Sequence, residues 1–478
     1  MPTLPVESVH QTFFDAMGVP GSVDHPFRVA IIGAGPAGFY AAEHFLKQES
    51  PCVHVDVFDR LPTPHGLVRA GVAPDHQKIK NVTRVFDKTA ARPGFRFFGN
   101  VDFGRDITME DLRERYHQVY FSTGAQVDRS LGIPGEDLAR SHSATEFVAW
   151  YNGHPDFRDL TFDLSQERVA VIGVGNVAID VARILCRTMD ELRATDIADY
   201  ALDALAESRV REIIMIGRRG PAQAAFTLPE IKELGDMQDA SVRTHADEMT
   251  LDAHSAAALE ADPDRATTKK LEVMNSYIGG TNAGARRVCD VRFLLSPTEL
   301  KAAEDGGVGS MTVMRNRIEP GRGGRLSAVP TGESMEWPIG LVFRSVGYRG
   351  VALPGVPFND SWGTIHNEKG RVTDDAGTVV PGLYAGGWIK RGPSGVIGTN
   401  KPDAVETVEC MLEDLASGAC FTPSAGPIEE LLGTRNVPTF SYEHWLELDR
   451  MEQEAGTASG RPRVKFTTVR DMLAATGR

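Results

Sequence analysis

The sequence predicts an α/β protein with two Rossmann-like dinucleotide-binding domains. Three observations carry that expectation. Arg28–Gly38, RVAIIGAGPAG, is an apolar run followed by glycines at GxGxxG spacing. Arg168–Ala178, RVAVIGVGNVA, repeats the pattern with alanine in the last place. Two further apolar runs, Val119–Phe121 and Leu341–Val346, lead into small residues and Gly124 or Gly347, as though each unit closed with the same device.

In the first unit Val29, Ala30, Ile31 and Ile32 read as a strand buried on both faces. Gly33 makes the tight turn, Gly35 lets a pyrophosphate approach the backbone, and Gly38 lets helix and strand pack closely. Phe39–Lys47 reads as the following helix, whose N-terminal amides face the phosphates. Asp59 ends the next strand run, Val53–Phe58, where an acid accepts from a ribose hydroxyl. An ordinary glycine turn would not need strand, helix and acid together.

In the second unit Gly173, Gly175 and Ala178 take the fingerprint places, with Asn176 between them and a helix from Val177 through Leu185. The next strand, Glu212–Ile216, ends in Gly217-Arg218-Arg219-Gly220 where the acid would stand. Two guanidiniums suit a 2′-phosphate that a carboxylate would repel, so the second nucleotide is expected to be NADP(H). The bland alternative is a solvated arginine pair.

Composition narrows the class. At 478 residues the chain is too long for one core, and 41% hydrophobic with 24% charged residues is globular. A net charge of −14 argues against a nucleic-acid or anionic-membrane surface. Cys52, Cys186, Cys289, Cys410 and Cys420 are scattered without a CxxC, so no metal or cluster site is expected and a reducing, cytoplasmic setting fits. No signal peptide and no membrane-spanning run is read.

Residues 1–26 read as an N-terminal extension with a short helix near Thr12–Met17. Arg60–Lys80 reads as an irregular loop lying along the cofactor, and Asn81–Ala91 as a helix. Ser241–Glu272 reads as polar and helical, and Val288–Ser296 and Gly309–Arg317 as strands of a peripheral sheet. Thr378–Trp388 reads as strand then glycine turn. Glycine-rich Lys390–Asn400 and a helix over Asp403–Ser417 follow. Residues 419–478 form a C-terminal extension with a helix over Ser441–Glu454 and no function that the sequence discloses.

From about Phe27 to about Leu415 the chain resembles the adrenodoxin-reductase type of ferredoxin–NADP(+) reductase, especially its bacterial members. The carrying motifs are GAGPAGFYAAEHFLK, LPTPHGLVRAGVAPDH, FRFFGNV, IPGEDL, GVGNVAIDVARIL, GRRGPAQAAFTLPEIKEL, RSVGYRG and GWIKRGPSGVIGTNKPDA. The resemblance implies a glutathione-reductase-like arrangement. A discontinuous FAD domain (27–127 and 351–418) is split around an NADP domain (128–350). It implies FAD contacts at Ala37, Asp59, Leu67, Val101, Trp388, Gly395, Val396 and Ile397, beside Gly33, Gly35 and Gly38. NADP contacts are implied at Arg129, Asn176, Val177, Arg218, Arg219, Glu230 and Gly395, beside Gly173 and Gly175. His76, Asp180 and Glu233 match polar positions kept near the nicotinamide and are the candidate catalytic residues. Asp59 stands where the family more usually has Glu, and His65 and Pro229 also depart from the pattern.

The implied activity passes electrons between NADPH and a separate, small, acidic ferredoxin through FAD. Some relatives fuse an iron–sulfur domain, for which this chain has no cysteines. A monomer is expected, with Arg69, Lys78, Lys80, Arg265, Lys269 and Lys270 as exposed candidates for docking the partner. A flavin-dependent monooxygenase or a general NADPH diaphorase would keep both nucleotide units. A disulfide reductase would need a cysteine pair beside the flavin, which Cys52 and Cys186 do not supply.

Overall fold

The computed structural model describes residues 20–478, so the short helix expected near Thr12–Met17 lies outside the described residues. Two large sheets organise the chain. The first has seven strands, in the order Asn367–Glu368, Arg371–Thr373, Val379–Ala385, Gln118–Phe121, Phe27–Ile32, Val53–Asp59 and Phe95–Gly99. The last five of these run parallel, in register Ala30↔Asp56, Ala30↔Val119 and Tyr384↔Tyr120. The second sheet has six parallel strands, in the order Ser141–Ser143, Leu341–Arg344, Arg168–Ile172, Glu212–Ile216, Arg287–Arg292 and Ala240–Arg243. Both sheets are buried on two faces, which is why their strands read as unbroken apolar runs.

The chain leaves the first sheet after Phe121 and rejoins it at Asn367. The outgoing and returning segments pair as a short antiparallel ribbon, Val127–Asp128 against Tyr348–Arg349. A three-stranded antiparallel sheet, Leu295–Ala302, Val308–Pro320 and Leu326–Pro338, covers one face of the second sheet. Leu295, Leu300, Met311 and Val313 there pack on Ala170, Ile172, Ile214 and Ile216.

Several elements differ from the sequence reading. The first fingerprint helix runs Pro36–Phe45, starting earlier than Phe39, because Gly35 is its extended N-cap and Pro36 fills the first turn without needing an N–H donor. Gly38 therefore sits inside the helix. Ser241–Glu272 is not uniformly helical. Ala240–Arg243 is the edge strand of the second sheet, and helices Ala253–Ala261 and Arg265–Ser276 follow. The expected peripheral strand Val288–Ser296 divides between Arg287–Arg292, inside the second sheet, and Leu295–Ala302, in the small one. Arg60–Lys80 holds two short helices, Leu67–Ala70 and Gln77–Lys80. The C-terminal helix Tyr442–Ala458 is closed by a Ser441 capping box with His444.

Candidate active site

The two nucleotide units are built alike down to single hydrogen bonds. Gly33 N–H donates to Phe58 O at 2.8 Å and Gly173 N–H to Ile216 O at 2.9 Å. Ser122 N–H donates to Ile32 O and Ser345 N–H to Ile172 O, each at 2.8 Å. Gly33 (φ +108°) and Gly173 (φ +139°) occupy left-handed backbone, and a Cβ would lie 2.6 Å from Ser122 O in one and 2.1 Å from Ser345 O in the other. A Cβ at Gly38 would lie 2.3 Å from Gly33 O, so the helix could not approach its strand. At Gly35 and Gly175, by contrast, nothing lies within 4 Å of that position. An open glycine at each helix N-terminus is the cradle a diphosphate requires.

Asp59 closes the first cradle. Its carboxylate accepts from Ala34 N at 2.9 Å and Leu61 N at 3.0 Å, which fixes it at the strand end, and burial pushes its pKa up. Each oxygen keeps a lone pair for a ribose hydroxyl. Ala37 and Val101 are buried beside it, and Leu67 is 44% exposed on the facing short helix. These residues fit FAD.

In the second cradle Arg218 and Arg219 are exposed side by side and, among the described residues, neither enters a salt bridge. Burial, and then Arg218, lower the Arg219 pKa. The backbone beneath them is fixed, since Asn316 Nδ2 donates to Arg218 O and Leu294 N–H to Arg219 O. Unpaired, preorganised guanidiniums fit a phosphate dianion. Asn176 Oδ1 accepts from Thr227 N at 2.9 Å and ties the fingerprint helix (Asn176–Cys186) to the Leu228–Gly235 helix, with Val177 half-buried beside it.

His76, Asp180, Glu230 and Glu233 are brought together in the seam between the two units. His76 Nε2 lies 2.5 Å from Glu233 Oε2 and 4.0 Å from Glu230 Oε2, and His76 Nδ1 lies 3.9 Å from Asp180 Oδ1. At the centre is a residue the sequence reading missed. Arg183 is fully buried and donates to Asp75 (2.8 Å), Asp180 (2.7 Å) and Glu230 (3.1 Å), with Glu233 at 3.4 Å. Arg187 also donates to Asp75, at 2.7 Å. Asp75 and His76 come from the first unit, while the arginines and remaining acids come from the second, so this cluster joins the two.

Its electrostatics follow from four carboxylates facing two guanidiniums. Burial pushes Asp180 up to about 7 and raises Glu230, while Arg183 and Arg187 hold Asp75 well below the usual carboxylate range against its burial. His76 is raised: burial opposes its charged form, but the Glu233 bond and the charges of Asp180 and Asp75 together outweigh it. His76, Glu230 and Glu233 could by position hold a metal ion, yet Arg183 already presents a cation to both glutamates.

Trp388 and Gly395 lie on a segment pinned to the Asn400–Ala416 helix. Gly387 N–H donates to Asp403 (2.6 Å), and buried Lys390 pairs with Glu406 (2.7 Å). Trp388 stacks on Tyr348 at 5.8 Å and donates from Nε1 to Ser394 O at 3.1 Å. Tyr348, on the connecting ribbon, lies within the RSVGYRG motif but was not read as a site residue. Gly395 (φ +79°) occupies left-handed backbone, and Thr399 Oγ1 lies 2.3 Å from where a Cβ would stand, so backbone and packing both favour glycine there. Val396 is 51% exposed, Ile397 is half-buried, and Arg129 reaches the carbonyls of Tyr348 and Trp362 at 3.4 Å.

Three expected docking cations are not available at the surface. Arg69 is bound by both nitrogens to fully buried Glu452, Lys80 is bound to buried Asp196 at 2.7 Å, and half-buried Lys270 donates to Ala224 O. Each has a buried partner distant along the chain, which its sequence context does not show. Lys78, Arg265 and Lys269 are exposed.

Comparison with known proteins agrees with this geometry. The family model described as pyridine nucleotide-disulphide oxidoreductase matches residues 27–216, although all five cysteines here are free. The NADPH-ferredoxin reductase FprA of Mycobacterium leprae is 44% identical over 460 residues, 94% of this chain and 98% of the relative. The mitochondrial NADPH:adrenodoxin oxidoreductase of Salvelinus fontinalis is 41% identical over 93% of this chain and 90% of its own. The structure of Mycobacterium tuberculosis FprA in complex with NADPH superposes with a TM-score of 0.88 at 43% identity, covering 95% of this chain and all of the other. The chain therefore belongs to the FAD-dependent NADPH–ferredoxin reductases of the adrenodoxin-reductase type.

Proposed function

We propose that this protein takes a hydride from NADPH at the Arg183 seam and hands electrons singly to a separate, acidic ferredoxin docked at the mouth of that seam. The observation that carries this reading is the His76–Glu233 contact, which joins a cradle closed by an acid to a cradle closed by two arginines. FAD supplies the conversion of one two-electron delivery into two single-electron departures. The chain's residues bind and orient. Asp59 and the Gly33–Gly38 turn hold the first nucleotide across residues 27–127 and 351–418. Asn176, Arg129 and the Arg218–Arg219 pair hold NADPH across 128–350.

His76, Asp180 and Glu233 line the place where the nicotinamide would give up its hydride, with Glu230 behind them. The surplus of carboxylate over guanidinium there favours a ring that becomes cationic on oxidation. Gly395 brings no side chain between the two rings, and Trp388, braced by Tyr348, packs beside the flavin. No side chain needs to act as a general base for hydride transfer.

The docking face combines Lys78 with Arg265 and Lys269, exposed on either side of the seam. Among the described residues no helix is long and apolar enough to cross a membrane. We place the working protein in the cytoplasm as a monomer. Spectroscopy tests the reading. The purified protein should carry a visible flavin spectrum, anaerobic NADPH should bleach it, and oxidised ferredoxin should restore it. A flavin that NADPH does not bleach would overturn the proposal, and NADPH oxidation stimulated by an organic substrate and oxygen would point to a monooxygenase.

A further inference from the structure

The C-terminal extension packs its last strap, residues 459–468, along the seam between the two units. Lys465 lies at its centre with its side chain 1% exposed. Its Nζ donates to Asn152 O at 3.0 Å and Arg69 O at 3.3 Å, and lies 3.4 Å from Asp196 Oδ2. Asn152 and Asp196 belong to the NADP side and Arg69 to the FAD side. Asp196 also receives Lys80 at 2.7 and 2.8 Å, so one buried carboxylate holds a lysine from the loop and a lysine from the strap.

The strap is anchored at both ends. Arg461 donates to Thr195 O at 3.0 Å and to Ile197 O. Glu452 accepts from Phe466 N at 2.9 Å and from Arg463 at 3.2 Å while gripping Arg69. Arg69 also lies 5.2 Å over the Trp445 ring. The strap crosses its own helix closely, since a Cβ at Gly456 would lie 2.4 Å from Arg463 Cα.

The loop thus held is the one that carries His76. Lys80 N–H donates to His76 O at 3.2 Å and Ile79 N–H to the same oxygen at 3.0 Å, so anchoring Lys80 fixes the turn on which His76 stands. We infer that the C-terminal strap, through Lys465 and Asp196, is a positioning element that closes the Gly66–Lys80 loop onto the NADP unit and holds His76 against Glu233. This rests on His76 and Glu233 lining the hydride-transfer site. Lys465 touches neither nucleotide site, so it is a positioning residue.

The test uses the full-length, FAD-loaded protein with Lys465→Met, which leaves Asp196 paired to Lys80, and with Arg461→Ala, which frees one end of the strap by removing its bonds to Thr195 O, Ile197 O and exposed Asp199. Hydrogen exchange of residues 66–80 should rise in both variants. Flavin bleaching by saturating NADPH, measured per bound FAD, should slow by about tenfold or more, because small misplacements of reacting groups carry large rate losses. The KM for NADPH should stay within about twofold, as the 2′-phosphate site is untouched. If Lys465→Met does not fold, Arg461→Ala decides. Faster exchange in the strap with unchanged exchange at 66–80, or an unchanged bleaching rate per bound FAD, would overturn the inference. Failure of the unsubstituted protein to be bleached by NADPH would instead count against the functional reading.

Discussion

Replacing Arg218 or Arg219 by alanine should weaken NADPH and leave NADH nearly untouched. The two guanidiniums stand exposed, without a carboxylate partner among the described residues, on backbone fixed by Asn316 and Leu294. Nothing must break for a phosphate to bind, so little of each charge-assisted bond is offset. Such bonds contribute about 1.5–3 kcal/mol, and solvent exposure places these at the lower end. Each loss then amounts to about a tenfold fall in affinity, and the double variant to roughly a hundredfold. NADH lacks the phosphate, and removing one arginine relieves its repulsion with the other, so NADH should hold or improve slightly. The assay is kcat/KM for both nucleotides with a small dye acceptor, which keeps partner docking out of the measurement. The NADPH advantage should shrink with rising salt in the unsubstituted protein and lose that salt dependence in the double variant. A preference for NADPH that survives in both single variants would refute the assignment of the 2′-phosphate site.

Gly35→Ala and Gly38→Ala should separate ligand approach from packing. The first puts its methyl into open space and should lower FAD affinity without lowering Tm of the FAD-free protein. The second drives a methyl to 2.3 Å from Gly33 O and should destabilise the fold by about 1–3 kcal/mol. Equal FAD retention in Gly35→Ala and the parent would remove the diphosphate from that cradle. Charge reversal at Lys78 and Lys269 should slow ferredoxin reduction, most at low ionic strength, and leave dye reduction intact. An unchanged ferredoxin rate would move the docking face elsewhere. Asp180, raised to about 7, binds its proton more tightly folded than unfolded, so its contribution favours the fold at low pH and is lost as pH rises towards and through 7. His76, also raised, loses its contribution in the same direction. The Tm advantage of the parent over Asp180→Asn should therefore shrink between pH 5.5 and 8. An advantage that grows with pH would contradict the burial of that carboxyl among Arg183, Glu230, His76 and Asp75.

The two glycine fingerprints, Asp59 and the arginine pair were legible because each acts through local backbone geometry or at a strand end that the pattern locates. The return of the chain to the first sheet was legible from the resemblance between Val119–Gly124 and Leu341–Gly347. Arg183 was not. It sits on an apolar helix face, where a lone arginine has no meaning until Asp75, over a hundred residues earlier, is seen to meet it. The same holds for Arg69, Lys80 and Lys270, whose partners are buried and remote in the sequence. The extension beyond Phe421 carries helices, two of them side-chain-capped by Ser441 and Thr468, but no motif, and the sequence does not show what Lys465 and Glu452 reach.

The burial of those cations changes what the remaining ones can do. A chain of net charge −14 would repel an acidic partner of the kind proposed at long range, so such docking would need cations gathered locally. The Gln77–Lys80 turn divides its side chains between two tasks. His76, at its start, faces inward to Glu233, and Lys80 is spent on Asp196. Lys78 and Ile79, the latter 44% exposed, face outward from the same turn. Across the seam the Leu228–Gly235 helix does likewise, with Glu233 directed to His76 and Lys232 exposed. The helix Arg265–Ser276 leads to Tyr277, whose hydroxyl donates to Ile231 O, and carries exposed Lys269. The elements that bring His76 and Glu233 together thus also carry exposed lysines, Lys78 on one side of the seam and Lys232, with Lys269 on the neighbouring helix, on the other. A partner docked on those lysines, as proposed, should sit near His76 and Glu233 because the two sets of side chains share the same elements. Its encounter rate should follow the surface charges, and the electron-transfer distance should follow the buried ones.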